Sequence, residues 1–436
     1  MANNHIKISH PRHLVLKGEV YQQFPILVWV AFAGTMAAGF LFTDILPFNI
    51  SGLAWAGALL IALIVLSKRA PYWRFPVHIW LPWFFLLLLY LPGSLSNPLD
   101  SNVSPIQRSS QLVTPMIVAV ALSTYRISPR LLIRFVRYFR IFLILFWFLA
   151  IITHLDVILA LGTTDLAGQA MTGMLGCTFF LCRYFLMRRY NDLVTCVLMA
   201  TMPILAVTRT VIAVTLMLPN IILVPLSLFQ RLLIIGVTLL MGVSVFFLPQ
   251  VQKKMFQSGS GQLNDLSFEN EELSTSGRAY LWDRLFSFAQ NSHWFGHGTG
   301  QGETFCYKYT PVGYPHNDWL LTYVDYGILG VSVYLLCNLW MMWDCLRHAR
   351  KVRHPTVKLF FYAGASSFVP FMLVMFTDNI MVYASFFGIL QYTIIGLAYG
   401  TLNTLKKRPK RKRKRVASLP GAPVLSTSKV DLPSTG

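Results

Sequence analysis

The sequence predicts an all-α polytopic membrane protein of about 12 transmembrane helices with one large outer loop. Three observations predict it. Charged residues make up 12% of the 436-residue chain, hydrophobic residues make up 55%, and mean hydropathy is +0.55. A soluble domain carries about 25% charged residues. Apolar runs of near-spanning length recur along the chain, and the basic residues between them alternate between rich and poor loops.

Residues 1–23 are polar and basic, with no sign of a cleavable leader, and the first apolar run, 24–42, is long enough to remain as a spanning helix. Further runs lie at 50–66, 77–93, 109–124, 140–155, 169–186, 193–207, 211–228 and 232–249. These make up a first membrane block, 24–249, with nine helices. A long polar loop, 250–317, follows, and runs at 318–342, 359–377 and 381–402 form a second block with three helices. Residues 403–436 form a basic, then Pro- and Ser-rich tail expected to be disordered.

Charge fixes the orientation. The net charge of +20 is compatible with nucleic-acid binding in principle, but nine basic residues crowd between Lys406 and Arg415, directly after the last apolar run. With a cytoplasmic N-terminus, only seven of the 37 basic residues fall outside: Arg108, Arg209, Lys253, Lys254, Arg278, Arg284 and Lys308. This is the positive-inside pattern, with both termini cytoplasmic and the tail facing anionic lipid rather than nucleic acid. The six cysteines lack paired metal-ligand spacing and read as small apolar fillers.

The polar loop and its borders hold the residues that suggest chemistry. Arg209, in Thr208-Arg209-Thr210, sits at the outer end of a middle helix without an acidic neighbour in sequence. It either snorkels to lipid phosphates or forms a fork for a bound phosphate. Residues 278–290 predict an amphipathic helix, with Leu281, Trp282, Leu285, Phe286 and Ala289 on one side and Thr275 or Ser276 as cap. Arg278 lies in its first turn, where a cation opposes the helix dipole, so either an external anion or stacking on Trp282 accounts for it. The run Gly296-His297-Gly298-Thr299-Gly300 lets backbone N–H groups at Gly298 and Gly300 approach an anion, or is a plain turn. Pro315-His316-Asn317-Asp318 opens the next apolar helix. His316 there is suited to accept a proton near neutral pH, whereas Asn317 and Asp318 also suit a helix cap. The sequence lacks a Walker A loop, an Asp-X-Asp pair and a His-Glu-X-X-His motif, which points away from nucleotide-sugar and zinc chemistry.

Taken in order, Thr208-Arg209, Gly277-Arg278-Ala279-Tyr280-Leu281-Trp282, Trp294 to Gly300, His316-Asn317-Asp318-Trp319-Leu320 and Tyr326-Gly327-Ile328-Leu329-Gly330 resemble the O-antigen ligase and polymerase superfamily of bacterial envelopes. The motifs cover roughly 200–335. The resemblance implies an integral-membrane glycosyltransferase fold (GT-C-like) in the bacterial inner membrane. It implies transfer of an undecaprenyl-pyrophosphate-linked glycan to an acceptor sugar on the periplasmic face, without metal or other cofactor. The acceptor is a lipid-linked repeat for a polymerase or lipid A-core for a ligase, and a chain-length regulator is the implied protein partner. By the same resemblance His316 is catalytic, Arg209 and Arg278 bind the donor pyrophosphate, and Trp282, Gly298, Gly300 and Asn317 complete the binding site. Asp325 stands where many relatives carry Glu, which leaves these roles intact. Asp378 and Asn379 lie at the outer turn between the last two helices and are expected to help line the site. A transporter or flippase of the same lipid-linked glycan is the alternative. The scarcity of ionisable residues inside the helices, Arg183 excepted, argues against it.

Overall fold

A computed structural model of the chain describes residues 22–40, 50–69, 77–95, 105–155, 166–262, 265, 278–310, 313–381 and 387–405. The basic tail, Gly277 and the expected caps Thr275 and Ser276 lie outside the described residues.

The first block contains α1 (Ile26–Phe40), α2 (Ile50–Arg69), α3 (Val77–Leu95), α4 (Pro105–Ser123) and α5 (Pro129–Thr153). It continues with α6 (Ala167–Met187), α7 (Tyr190–Leu205), α8 (Arg209–Ile221) and α9 (Leu228–Phe246). Three short helices follow: α10 (Pro249–Met255), α11 (Arg278–Gln290) and α12 (Gln301–Tyr309). The last three are α13 (Asp318–Lys351), α14 (Pro355–Val374) and α15 (Ile389–Leu405). Each of the twelve apolar runs overlaps one of these helices over its described residues. Among the described residues, α2, α5, α6, α9, α13 and α14 are long and apolar enough to cross a membrane. α1, the Trp80–Tyr90 part of α3, α7 and α8 are apolar but shorter. α15 and the second half of α4 are instead buried within the bundle. The protein is therefore an all-helical, polytopic membrane protein.

Local signals set several helix ends. Ser128 accepts from Leu131 N–H at 3.3 Å and Pro129 occupies the first turn of α5, a position that needs no amide donor. Ser227 and Gln230 form a reciprocal capping box on α9. Small residues then permit close helix approach. Gly173 and Gly176 of α6 lie against Met202 and Met199 of α7, and Gly396 of α15 lies against Ala119 and Leu122 of α4. Without a hydrophobic force between helices in lipid, such close packing supplies the attraction. Phe32 stacks among Phe135, Phe139 and Phe142, joining α1 to α5. By contrast, Phe246 is the only buried residue of α9, whose exposed leucines suit contact with lipid.

Two buried carboxylates within the helices are paired with arginines. Fully buried Asp192 receives Arg183 at 2.6 Å and also Arg140, so Arg183 is one arm of a clamp joining α5, α6 and α7. Asp344 accepts from Tyr399 and lies 2.7 Å from Arg347. A buried carboxylate that lost such partners would be strongly destabilising.

α11 is helical from Arg278 to Gln290, as its pattern predicts. Leu281, Leu285 and Ala289 are buried with Cys306 of α12 and Val324 of α13, in a small cluster separate from the main core. Phe286 departs from the expected face and is half exposed, because the buried stripe is narrow and centred on 281–285–289.

α13 is broken at Gly327, whose φ of +65° and ψ of −169° are not helical. A break inside an apolar helix frees backbone groups that lipid cannot satisfy. Here the segment 293–302 takes them up. Val324 and Asp325 carbonyls accept from His297 and Gly298 N–H, both at 2.8 Å. Ile328 and Leu329 N–H donate to the carbonyls of His293 and Trp294, at 2.9 and 3.3 Å. The Asp325 carboxylate accepts from Gly300 and Gly302 N–H, each at 2.8 Å. A Cβ on Gly327 would overlap the backbone of Trp294 and Phe295, and one on Gly296 would overlap Asp325 and Tyr326.

Gly327→Ala is therefore expected to lower stability by at least ~1–3 kcal/mol, the cost of strained backbone, plus the displaced contacts. Thermal unfolding of the purified protein in detergent reads this. An unchanged midpoint would mean that the break is not fixed by the close backbone approach.

Candidate active site

The turn at residues 375–381, between α14 and α15, is a meeting point for several of the expected site residues. Arg278, at the head of α11, donates from Nη1 to the Thr377 carbonyl at 2.8 Å. Thr210, beside Arg209 at the head of α8, shares a hydroxyl–hydroxyl hydrogen bond with Thr377. His316 Nδ1 lies 3.8 Å from Asp378 Oδ1. Asp318 ties the turn from both sides: its N–H donates to the Met375 carbonyl at 2.9 Å and its Oδ2 accepts from Met381 N–H at 2.8 Å. One turn thus meets the side chains of Thr210, Arg278, His316 and Asp318, which come from distant parts of the sequence.

Both arginines are poorly solvated. Burial pushes the Arg278 guanidinium below its ordinary value, and the nearby Asp378 offsets part of that effect. Arg209 is also burdened by burial and feels the charge of Arg278 directly. Two guanidiniums that repel each other in a half-buried position favour an anion with several oxygens between them, and a fork-shaped donor suits phosphate oxygens.

His316 is held in an unusual backbone state. Its φ of +49° lies in the left-handed region, uncommon outside glycine, although histidine tolerates it better than branched residues. The neighbours on either side explain how it is kept. The Pro315 carbonyl accepts from Trp282 Nε1 at 2.7 Å. Asn317 caps α13, accepting from Leu320 N–H at 2.9 Å. The His316 side chain is one-third exposed, while its Nδ1 is buried and has no hydrogen-bond partner among the described residues. A ring anchored on both flanks by other residues' bonds, yet open at one edge, is placed to meet a ligand.

The other expected site residues have definite places. Trp282 supports Pro315 rather than standing free to stack on Arg278. Asn317 is the cap, whereas Asp318 is not. It is fully buried and binds the 375–381 turn. The amides of Gly298 and Gly300 donate to Asp325, so the anion that the glycine run cradles is internal to the protein. Asp378 lies beside His316, and Asn379 is buried next to it with its N–H on Asp378 Oδ1 at 2.8 Å.

Two contributors were not singled out from sequence. Thr377 is an ordinary residue whose value comes from position alone. Arg108 pairs with Glu303 at 2.5 Å, linking the head of α4 to α12. The scarcity of outer basic residues marks Arg108 in the sequence, but its partner lies 195 positions away and only the fold reveals it.

Comparison with known proteins locates this arrangement in a family. Residues 194–335 match the model of the O-antigen ligase family. That segment contains Arg209, Arg278 and His316, and it ends just past the break at Gly327. No curated protein matches the chain. The family's general activity is glycosyl transfer in polysaccharide biosynthesis, with lipid-linked glycan and an acceptor as substrates. The match over residues 194–335 supports a likeness of this membrane protein to the O-antigen ligase and polymerase superfamily.

Proposed function

We propose that the protein is a glycosyltransferase of the bacterial inner membrane, moving an undecaprenyl-pyrophosphate-linked oligo- or polysaccharide to an acceptor sugar at the periplasmic face. The observation that carries this reading is that Arg278 and His316 meet at the 375–381 turn, with Arg209 beside the Thr210 that bonds Thr377 and close enough to feel the charge of Arg278. The family match supports the general reaction, and these side chains suit its chemistry.

In the proposed reaction an acceptor hydroxyl attacks the anomeric carbon of the donor sugar. The bond from that carbon to the pyrophosphate oxygen breaks, and the oxygen leaves with the electron pair. Arg209 and Arg278 hold the leaving group as its negative charge develops, where poor solvation strengthens their effect. His316 takes the proton of the attacking hydroxyl. Asp378 Oδ1 faces the ring, 3.8 Å from Nδ1. Direct attack inverts the anomeric centre, and the charge balance at the leaving group comes from the two arginines, so no metal is required. Gly298 and Gly300 act indirectly, by fixing Asp325 and the segment beside the site.

In this reading twelve helices of a GT-C-like fold span the membrane, both termini are cytoplasmic, and the exposed apolar surface offers grooves for the polyprenyl chain. A polymerase takes another lipid-linked repeat as acceptor, and a ligase takes lipid A-core. A chain-length regulator would accompany the polymerase.

His316→Ala is expected to reduce transfer roughly 10²–10⁴-fold while leaving protein level unchanged. Glycan length on gels, with lipid-linked intermediates quantified, separates the outcomes. Single repeats at the surface without long chains indicate a polymerase, and long chains stranded on undecaprenyl pyrophosphate indicate a ligase. An unaltered profile would sink the catalytic assignment and favour a flippase.

Arg278→Lys keeps the charge but loses the fork, and donor binding is expected to weaken roughly tenfold or more. Titration of the purified variant with undecaprenyl pyrophosphate measures this, and wild-type affinity would remove Arg278 from the donor site. Transfer in the presence of excess EDTA is expected to proceed at the untreated rate. Abolition by chelation and recovery with a divalent ion would refute the metal-independent mechanism.

A further inference from the structure

Beside the 375–381 turn, a cavity runs from the outer face into the bundle between α3, α4, α13, α14 and α15, with about 1000 Å³ of free space including its mouth. The turn serves both places. Thr377 and Asp378 face Arg278 and His316, whereas Met375, Ile380 and Met381 line the cavity. None of Arg209, Arg278 or His316 is part of its wall.

Most of the wall is apolar or aromatic, including Trp83, Phe368, Phe371 and the stacked pair Tyr90 and Tyr326. Five polar atoms on this wall are buried and have no hydrogen-bond partner among the described residues: the acceptors Glu303 Oε2 and Gln111 Oε1, the donors Trp83 Nε1 and Arg108 Nε, and Tyr392 Oη, which can do either. Glu303 is 6% exposed and Tyr392 5% exposed. The second oxygen of Glu303 holds Arg108, the one cation among the lining residues. Two further polar side chains of the wall are engaged internally. Asp325 binds Gly300 and Gly302 N–H, and Gln391 donates to Ser367.

The chemistry of these atoms selects the ligand. Glu303 Oε2 and Gln111 Oε1 are acceptors, so they need a donor. Phosphate at neutral pH offers acceptors and negative charge, and two carboxylates line this wall against a single, already paired arginine. A hydrocarbon chain would leave all five polar atoms buried without partners, which is costly. A sugar ring meets both demands: its hydroxyls donate and accept, and its C–H faces lie well on aromatic walls. Mostly apolar pockets with a few fixed polar groups are the usual form of such sites.

We infer that this cavity is a subsite for one hydroxyl-bearing sugar ring of the glycan, recognised by Glu303, Gln111 and Tyr392. The inference rests on the proposed glycosyl transfer and deepens it. The arginines take the pyrophosphate, the cavity takes a sugar, and the shared turn holds His316 between them. The ring belongs either to the donor glycan or to the acceptor, since both present the same chemistry.

The test uses the full-length protein in lipid nanodiscs and two probes. One is the single-repeat oligosaccharide released by hydrolysis from the host's own surface glycan, followed by saturation-transfer NMR. The other is undecaprenyl pyrophosphate without sugar. Glu303→Gln is expected to weaken oligosaccharide binding at least tenfold and Tyr392→Phe at least threefold, with undecaprenyl pyrophosphate affinity unchanged in both. Tyr392→Phe removes an atom with no internal partner, so its thermal midpoint is expected to stay the same or rise. That pairing of retained stability with lost sugar binding is not what a structural role gives. If the lipid-linked repeat displaces the oligosaccharide, the subsite holds the donor ring; if both bind together, it holds the acceptor ring. Undiminished binding in both variants, or a midpoint that falls in step with binding, overturns the inference. If wild-type protein binds undecaprenyl pyrophosphate but not the oligosaccharide, the subsite alone fails. If it binds neither and His316→Ala leaves transfer intact, the proposed function fails with it.

Discussion

The break in α13 at Gly327 can exist only because the segment 293–302 satisfies the backbone groups it releases. Two carbonyls and two amides of the broken helix find partners in that segment, and the Asp325 carboxylate binds two more amides from it. Left unmet in an apolar setting, each such group would cost about 1–3 kcal/mol. The stitch therefore ties the outer loop to the membrane bundle along a line of backbone bonds, where side-chain packing alone would allow sliding. α11 and α12 inherit their positions from it, through the small cluster of Leu281, Leu285, Ala289, Cys306 and Val324. From α11 come Arg278 and the Trp282 bond that holds Pro315, and from α12 comes Glu303.

Charge is distributed in keeping with that architecture. Away from the 375–381 turn, Asp192 takes two arginines and Asp344 takes Arg347 and Tyr399. Those ion pairs hold helices together. Around the 375–381 turn and the cavity beside it, the charges are less evenly matched. Arg209 and Arg278 repel each other, His316 Nδ1 lacks a partner among the described residues, and Glu303 keeps one oxygen unengaged. Unbalanced groups in a half-dry setting are what a binding site needs, since ligand contacts then replace a deficit rather than compete with existing bonds.

How much of this was legible in the sequence follows from the physics of each signal. Helix positions were legible because twenty or so apolar residues leave a continuous mark, and all twelve runs overlap helices over their described residues. The stripe Leu281–Leu285–Ala289 was visible as a helical period, although Phe286 was misplaced because a neighbouring aromatic adds to the apparent face without joining the buried side. Arg209, Arg278 and His316 stood out as polar residues where such residues are scarce. The glycine run was legible as an anion cradle, but not whose anion. Asp325 lies 25 residues from Gly300, and nothing local distinguishes an internal carboxylate from a bound phosphate. Asp318 read as a helix cap because its position next to Asn317 fits one, whereas its true partner, Met381, is 63 residues away. Long-range pairs of this kind leave no periodic trace.

The geometry at His316 links strain to chemistry in a specific way. A left-handed backbone at a non-glycine residue persists only when its surroundings hold it. Here Trp282 fixes the residue before and the Asn317 cap fixes the residue after, so neither clamp uses the imidazole. The ring is thereby positioned by groups that do not occupy its nitrogens. Were the same placement achieved by a hydrogen bond to the ring itself, one of its two nitrogens would be committed to that bond. The backbone strain and the partnerless Nδ1 are thus two sides of one arrangement, in which rigidity is supplied by the main chain so that the side chain stays available.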